Sequence, residues 1–310
     1  MDQGFIIAIL ATAVTAGTPI LFAALGEIIT ERSGTLNLGV EGMMLVGAVS
    51  GFMAAYATGN PWLGFGAAML AGGTVSLIHA FLTITLRANQ VVCGLALTIF
   101  GTGFSSYIGK PFVGIPLKET FKPVEIPFLS DIPIIGPIFF NHDPLVYISY
   151  LLIILLAFLV YRTRWGLNLR AVGENPAAAD SAGISVSITR YQSVFIGGML
   201  AGAGGAYLSL AYAPSWLENM TAGRGWIAVA LVIFAMWDPY KALLGSYIFG
   251  GVEALGFRMQ TLNVNISPFF LKMLPYILTI LVLIIVTRET KTRKVGAPAA
   301  LGVPYHREDR

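Results

Sequence analysis

Charge is what this sequence has least of. Only 11% of its 310 residues are Asp, Glu, Lys or Arg, while 56% are hydrophobic and the mean hydropathy is +0.75. Soluble domains carry about 25% charged residues, so the deficit excludes an ordinary soluble domain and indicates a polytopic membrane protein. From Gly42 to Leu86 no charged residue occurs in 45 positions. That length accommodates two crossings of ~20 residues each, and Gly59-Asn60-Pro61 supplies the turn between them.

Other absences narrow the function. The single cysteine, Cys93, rules out an intrachain disulfide and a cysteine metal cluster. The three histidines, His79, His142 and His306, fall in a span, an outside loop and a tail, which argues against a shared metal site. No G-x-x-x-x-G-K-[ST], G-x-S-x-G or H-E-x-x-H sequence occurs, and Gly202-Ala203-Gly204-Gly205 lies in an apolar run with no following lysine. The chain is therefore expected to have no nucleotide motor, no hydrolytic centre and no bound cofactor, and not to be an enzyme. Its net charge of +3 sits mostly in the flanks of the spans. It bears on topology in a lipid bilayer, not on nucleic acid.

What is there reads as an all-α protein with about nine transmembrane helices, eight to ten by the ambiguity of the short ones. Spans are expected near 5–25, 36–57, 62–86, 90–108, 144–161, 190–212, 225–237, 242–258 and 269–287. Residues 1–290 would form one membrane domain and 291–310 a tail. Arg162, Arg164, Arg170 and Arg190 mark one cytoplasmic loop, and Arg288, Lys291, Arg293 and Lys294 a second cytoplasmic flank. Counting from both puts the N-terminus and residues 109–143 outside and the C-terminus inside. The first apolar run lacks a basic n-region, so it is expected to be retained rather than cleaved. Six prolines between 109 and 143 rule out a long helix there and point to an extended, rigid loop.

Polar residues inside spans are few. Glu41 is expected about five residues into its span, near enough to the inner interface to stay hydrated. Glu253 lies deeper, with Arg258 five residues on. Intramembrane acids are functional by default, so either could line a translocation path; the other reading is a polar partner in the bundle interior. Gly47–Gly51 and Gly198–Gly202 match G-x-x-x-G and are expected to mark tight helix contacts. Asn60-Pro61-Trp62 and Asp238-Pro239-Tyr240 open spans on opposite sides, as in an inverted repeat. Tyr107, Tyr212 and Trp216 stand near outside ends, where aromatics serve as interface anchors. The triplet Asn219-Met220-Thr221 matches a glycosylation acceptor by chance.

Three motifs stand out. Arg170–Gly183, RAVGENPAAADSAG, is a polar island built as one short helix: Asn175 caps it, Pro176 suits its first position, alanines fill it and Gly183 stops it. Seven residues, Pro176 to Ala182, span ~10 Å, with Glu174 and Asp180 for polar contacts at the edge. From spacing alone it could equally be a loop helix that touches only its own protein. Glu31–Gly42, ERSGTLNLGVEG, breaks a helix at Ser33-Gly34 and would place Asn37 and Glu41 on one helical face at i and i+4. That face could line a path or simply pack. Gly223–Ala230 reads GRGWIAVA.

These three stretches, in this order, resemble the permease subunits of bacterial ABC importers for simple sugars, nucleosides and branched-chain amino acids. Glu31–Gly42 looks like the family's ERSG-x-x-N-x-G-x-EG motif. RAVGENPAA is similar to its cytoplasmic coupling loop, here 162–190, and GRGW stands where GRGF is usual. The likeness runs from about residue 5 to 290 and implies two-half architecture in the bacterial cytoplasmic membrane. It also implies partners: an ATP-binding subunit, a second and different permease, and an extracytoplasmic substrate-binding protein. By this resemblance Arg170, Gly173, Glu174, Asn175, Pro176, Ala177 and Ala178 would couple to the ATP-binding subunit, and the motor would drive alternating access. The smaller permease of nucleoside-uptake systems is the nearest branch, with pentoses or branched-chain amino acids as alternative substrates. Ion-driven secondary transport through Glu253 is the alternative of another class.

Overall fold

A long first helix, α1 (Gln3–Arg32), threads the centre of the molecule and is buried on nearly every side from Ala13 onward. The computed structural model describes residues 3–261, 267–289 and 296–307. After α1 come α2 (Val40–Thr58), α3 (Pro61–Ala80, continued by a π-helical turn to Thr85) and α4 (Gln90–Gly109). A long connection follows, carrying a two-stranded antiparallel ribbon of β1 (Val124–Glu125) and β2 (Asn141–His142), with the single-turn α5 (Ile135–Phe139) between them. Then come α6 (Pro144–Arg162), α7 (Arg164–Glu174), α8 (Pro176–Ser181), α9 (Val186–Tyr207, continued by a π-helical turn to Tyr212), α10 (Arg224–Phe234), α11 (Pro239–Thr261) and α12 (Pro268–Glu289).

Among the described residues, six helical stretches are long and apolar enough to cross a membrane: Gly4–Arg32, Val40–Thr58, Pro61–Thr85, Gln90–Phe112, Pro144–Arg162 and Val186–Tyr212. The count of nine is not confirmed. The segment expected as a span over 225–237 is α10, only 11 residues long, or ~16 Å. Left-handed backbone brackets it, Ala222 and Gly223 before it and Met236 and Trp237 after it. Of the second basic marker, Lys291, Arg293 and Lys294 lie outside the described residues.

Helices α1, α2, α3, α9 and α11 pack through glycine. A Cβ on Gly47 would fall 2.5 Å from Gly202 Cα, and one on Gly26 2.5 Å from the Gly197 carbonyl. Both G-x-x-x-G matches are thus contact faces, as small residues permit close backbone approach where lipid offers no hydrophobic drive. On the rim, α4 and α6 expose Val92, Ile99, Leu151 and Ile154, as expected of surfaces facing lipid. A Gly47→Leu variant is expected to lose at least about 1–3 kcal/mol by overpacking. Thermal melts in detergent should show a large loss against a Gly66→Leu control, since nothing lies within 4 Å of a Cβ at Gly66.

Local chemistry explains the helix starts. Asn60 accepts from Trp62 N at 2.9 Å, Asp143 from Leu145 N at 3.0 Å and Asp238 from Tyr240 N at 2.9 Å, each just before a proline that suits the first helical position. Residues 110–143 cover one end of the bundle. The opposite end gathers Arg32, Arg87, Arg190, α7, α8 and the segment 296–307.

Candidate functional site

The connection from α9 to α10 does not stay at the bundle surface. It starts at the loop end, where Trp216 bridges to Val113 and lies fully buried against Gly109 at the end of α4. Gly101, eight residues earlier in α4, abuts Gly42, so the chain descends ~12 Å before reaching the start of α2. There the Glu41 carboxylate accepts from Thr221 Oγ1 at 2.6 Å, Gly223 N at 2.8 Å and Gly225 N at 2.6 Å. The first N–H groups of a helix have no partner within it and carry partial positive charge. Glu41 supplies both acceptor and negative charge from a different helix. Only glycine fits at 225, where a Cβ would lie 2.6 Å from Glu41 Cα.

Two expectations are corrected here. Glu41 does not stay hydrated: it is 4% exposed, because α10 sits on it. Asn37 does not share a helical face with it, because the chain is non-helical until Val40. Asn37 is fully buried and turns back to α1, where its backbone N–H and Nδ2 donate to Glu27 at 3.2 and 3.3 Å.

The other end of α10 is held by the same N-terminal motif. Trp237 Nε1 donates to Glu31 at 2.6 Å, and Arg32 Nε donates to the Trp237 carbonyl at 2.9 Å. The 33–39 turn is also tied to its neighbours: Arg190 Nε reaches Ser33 O at 3.2 Å, Gln90 accepts from Leu36 N at 2.6 Å, and Thr98 donates to Leu38 O at 2.9 Å. The ERSG and GRGW motifs, separated by some 180 residues, thus form one clasp around a half-length helix.

Beside the clasp lies a cavity of about 390 Å³ between α10, α11 and α12. Arg224, Glu253, Gln260, Phe257 and Tyr276 are among the residues lining it. Arg224 and Glu253 form an ion pair whose side chains are 11% and 18% exposed, and Arg224 also lies over the Tyr212 ring at 5.7 Å. Tyr276 donates to the strained Ala222 carbonyl at 2.9 Å. A charged pair and two aromatic rings stand there beside irregular backbone, which in a membrane protein is tolerated only inside protein or along a cavity.

Comparison with known proteins decides the class. The family described as branched-chain amino acid transport system / permease component matches residues 9–287. The chain belongs to this family. Among relatives, the permease is 38% identical to the guanosine ABC transporter permease NupQ of Bacillus subtilis, over 93% of this chain and 92% of that one. It is 34% identical to the nucleoside ABC transporter permease NupC of Lactococcus lactis, over 96% of each. It is 42% identical to a protein of Haloferax volcanii named as a glucose ABC transporter permease, TsgC13, over 99% of each. In three dimensions it is similar to an inward-facing metal-chelate type ABC transporter, with a TM-score of 0.50 and 14% identity over 91% of this chain and 85% of that one. That likeness speaks to the fold alone. The protein is a multi-pass membrane permease component of an ABC transporter, which works with an ATP-binding subunit and other components.

The permease's polar island holds the expected short helix, one residue shorter than expected, and its first residues belong to the helix before it. Arg170–Glu174 end α7, and α8 covers Pro176–Ser181, six residues. Asn175 caps α8 by accepting from Ala178 N at 3.0 Å, and Gly183 follows it with φ +85°. Glu174, Asn175 and Ala178 are exposed, whereas Pro176 and Ala177 are half-buried. Gly173 is buried against the Arg32 carbonyl and Pro298, and Arg170 lies over the Tyr161 ring at 5.9 Å.

Glu253 has its partner in Arg224, while Arg258 lies over the Phe5 ring at 5.8 Å. Five residues along a helix turn the Glu253 and Arg258 side chains far apart. Its partner Arg224 was readable in principle: an arginine inside an apolar stretch needs an acid, and few were available. Thr221, the last residue of the Asn219-Met220-Thr221 triplet, is fully buried on Glu41. Near the loop end a second, polar cavity of about 410 Å³ includes Thr12, Thr15, His142, Asp143, Tyr207 and Tyr212 in its lining. Burial holds His142 below the usual histidine range and pushes Asp143 up, although Tyr207 donates to Asp143 at 3.1 Å.

Proposed function

We propose that this permease imports nucleosides, driven by ATP hydrolysis on a separate subunit that docks at α8. The observation that carries the reading is continuity: the exposed, capped α8 follows α7, whose Gly173 abuts Arg32, and the turn beyond Arg32 leads to Glu41 and the α10 cavity. A push on α8 is thereby delivered to an element bordering a cavity, as alternating access between two packings requires. In this reading nine spans, including α10 to α12, place the N-terminus outside and the C-terminus and 162–190 in the cytoplasm. The spans form two inverted halves, and a second, different permease and a substrate-binding protein complete the importer.

NupQ and NupC, named for guanosine and nucleosides, support the substrate, and the Phe257 and Tyr276 rings beside Arg224 and Glu253 suit a base and its polar edge. TsgC13, named for glucose, keeps sugars as the second reading; branched-chain amino acids are the third. Secondary transport through Glu253 loses its motivation, because Arg224 already neutralises that carboxylate. Affinity purification from native membranes is expected to recover an ATP-binding protein and a second permease. Uptake by the reconstituted set should follow guanosine or another nucleoside; preference for glucose or leucine would overturn the substrate, and recovery of the chain alone would overturn the importer.

An Ala178→Arg variant is expected to insert normally yet lose most ATP-dependent uptake, by placing a bulky charge on the exposed face of α8. Unchanged uptake per inserted protein would remove α8 from the coupling role.

A further inference from the structure

The segment after the last helix, Gly296–Arg307, does not lie apart from the bundle. Ala300 N donates to Gly173 O at 2.9 Å, and Gly302 N to Gly34 O at 3.1 Å. The Val303 carbonyl accepts from Arg190 Nη1 at 3.3 Å, Arg87 Nη1 meets His306 Nδ1 at 2.9 Å, and Arg307 Nε meets Asp180 on α8 at 3.2 Å. Tyr305 packs on the small cluster of Val172, Ala179 and Val186, which joins α7, α8 and α9. These contacts tie five separate pieces of chain: α7, α8, α9, the Ser33-Gly34 turn and the turn at Arg87.

We propose that Gly296–Arg307 is a second coupling element, a strap that ties α8 to the Ser33-Gly34 turn and so to Glu41 and α10. The proposal rests on the reading that α8 receives the ATP-binding subunit. Its physical basis is the weakness of α8 alone. A helix of six residues is far too short to be stable by itself, and Ala179 is its one buried residue. Pushed from below, it would yield at Gly183 rather than move its neighbours. The strap closes that compliance by holding Ala179 and Asp180 from one side and Gly34 and Gly173 from the other. Arg190 adds a reason for the strap to stay in place. Its side chain is 2% exposed, and its donors reach the carbonyls of Ser33 and Val303. Lifting the strap would strip a buried guanidinium of an acceptor, which is costly in a dry interior.

The test uses the permease in complex with its ATP-binding subunit and needs no knowledge of the substrate. Hydrogen exchange of peptides covering 219–227 is compared without nucleotide and with ATP plus vanadate. The wild type should show a nucleotide-dependent change there. In the double variant Ala300→Pro/Gly302→Pro the two backbone N–H groups that the strap donates to Gly173 and Gly34 are removed, and proline cannot adopt the φ of +77° that Gly302 has. In Tyr305→Ala the contact under α8 is lost with the backbone intact, which guards against misfolding of the first variant. Both are expected to retain the ATP-binding subunit and ATP hydrolysis while the change at 219–227 disappears. Persistence of that change in both variants would overturn the strap. Failure of the wild-type permease to retain the ATP-binding subunit, or to respond to nucleotide, would instead overturn the docking reading beneath it.

Discussion

Replacing Glu41 by alanine is expected to cost this permease at least about 3 kcal/mol, because two backbone N–H groups and one hydroxyl lose their acceptor at once and each orphaned buried donor costs ~1–3 kcal/mol. The donors are Gly223 N, Gly225 N and Thr221 Oγ1. Water cannot readily replace the carboxylate, since Glu41 is 4% exposed and α10 covers it. The loss also removes a negative charge from a helix N-terminus, where its field is favourable. A Glu41→Gln variant keeps one carbonyl oxygen but turns an NH₂ toward donors, so it should fall between wild type and alanine. The check is a thermal melt of purified protein alongside ATP-dependent uptake per inserted molecule. Alanine is expected to melt well below wild type and to transport little. An unchanged melt would mean that α10 is held by packing and that the carboxylate is dispensable.

Breaking the Arg224–Glu253 pair is the second large effect. Each side chain is mostly buried, and removing one partner leaves an uncompensated charge, which costs ~3–5 kcal/mol in a fully buried pair; with the residual exposure of these two, about 2–4 kcal/mol is expected. Arg224→Met and Glu253→Leu should therefore each destabilise strongly. The double variant should recover much of the loss, since a hydrophobic pair of similar volume often replaces a buried ion pair at little cost. The double-mutant cycle on melting gives the coupling. Uptake separates structure from transport. If the pair only holds α10 against α11, the double variant should transport as it melts. If the cavity recognises solute through these charges, as proposed, the double variant should fold and still fail to transport. A double variant that loses as much as the two singles added together would mean that the two charges act independently.

Much of the architecture was legible because it is local. Asn60-Pro61, Asn175-Pro176 and Asp238-Pro239 begin helices for the reason their chemistry dictates, a side-chain acceptor followed by a residue with φ preset. Glycine spacing marked the faces on which α2 and α9 meet. Within the expected 225–237 span the helix is shorter than the apolar run, because hydropathy measures apolar length and is blind to φ. The left-handed residues around α10 include Ala222, Met236 and Trp237, none of which signals a break by identity. Glu41 was placed in an aqueous interface for a related reason: distance along a span says nothing of what another segment lays over it.

The sequence by itself determined that this chain is a helical membrane protein and where its capped helices start, because composition, caps and small-residue spacing act over a few residues; the permease class came from the resemblance of three motifs to a family. Only the tertiary structure decided that two of those motifs are one clasp, that Arg224 answers Glu253, and that the C-terminal segment lies under α8. Those facts depend on groups far apart in the chain that are left without local partners, the backbone donors at the start of α10 and the buried charges among them, and on which partners the fold brings within reach.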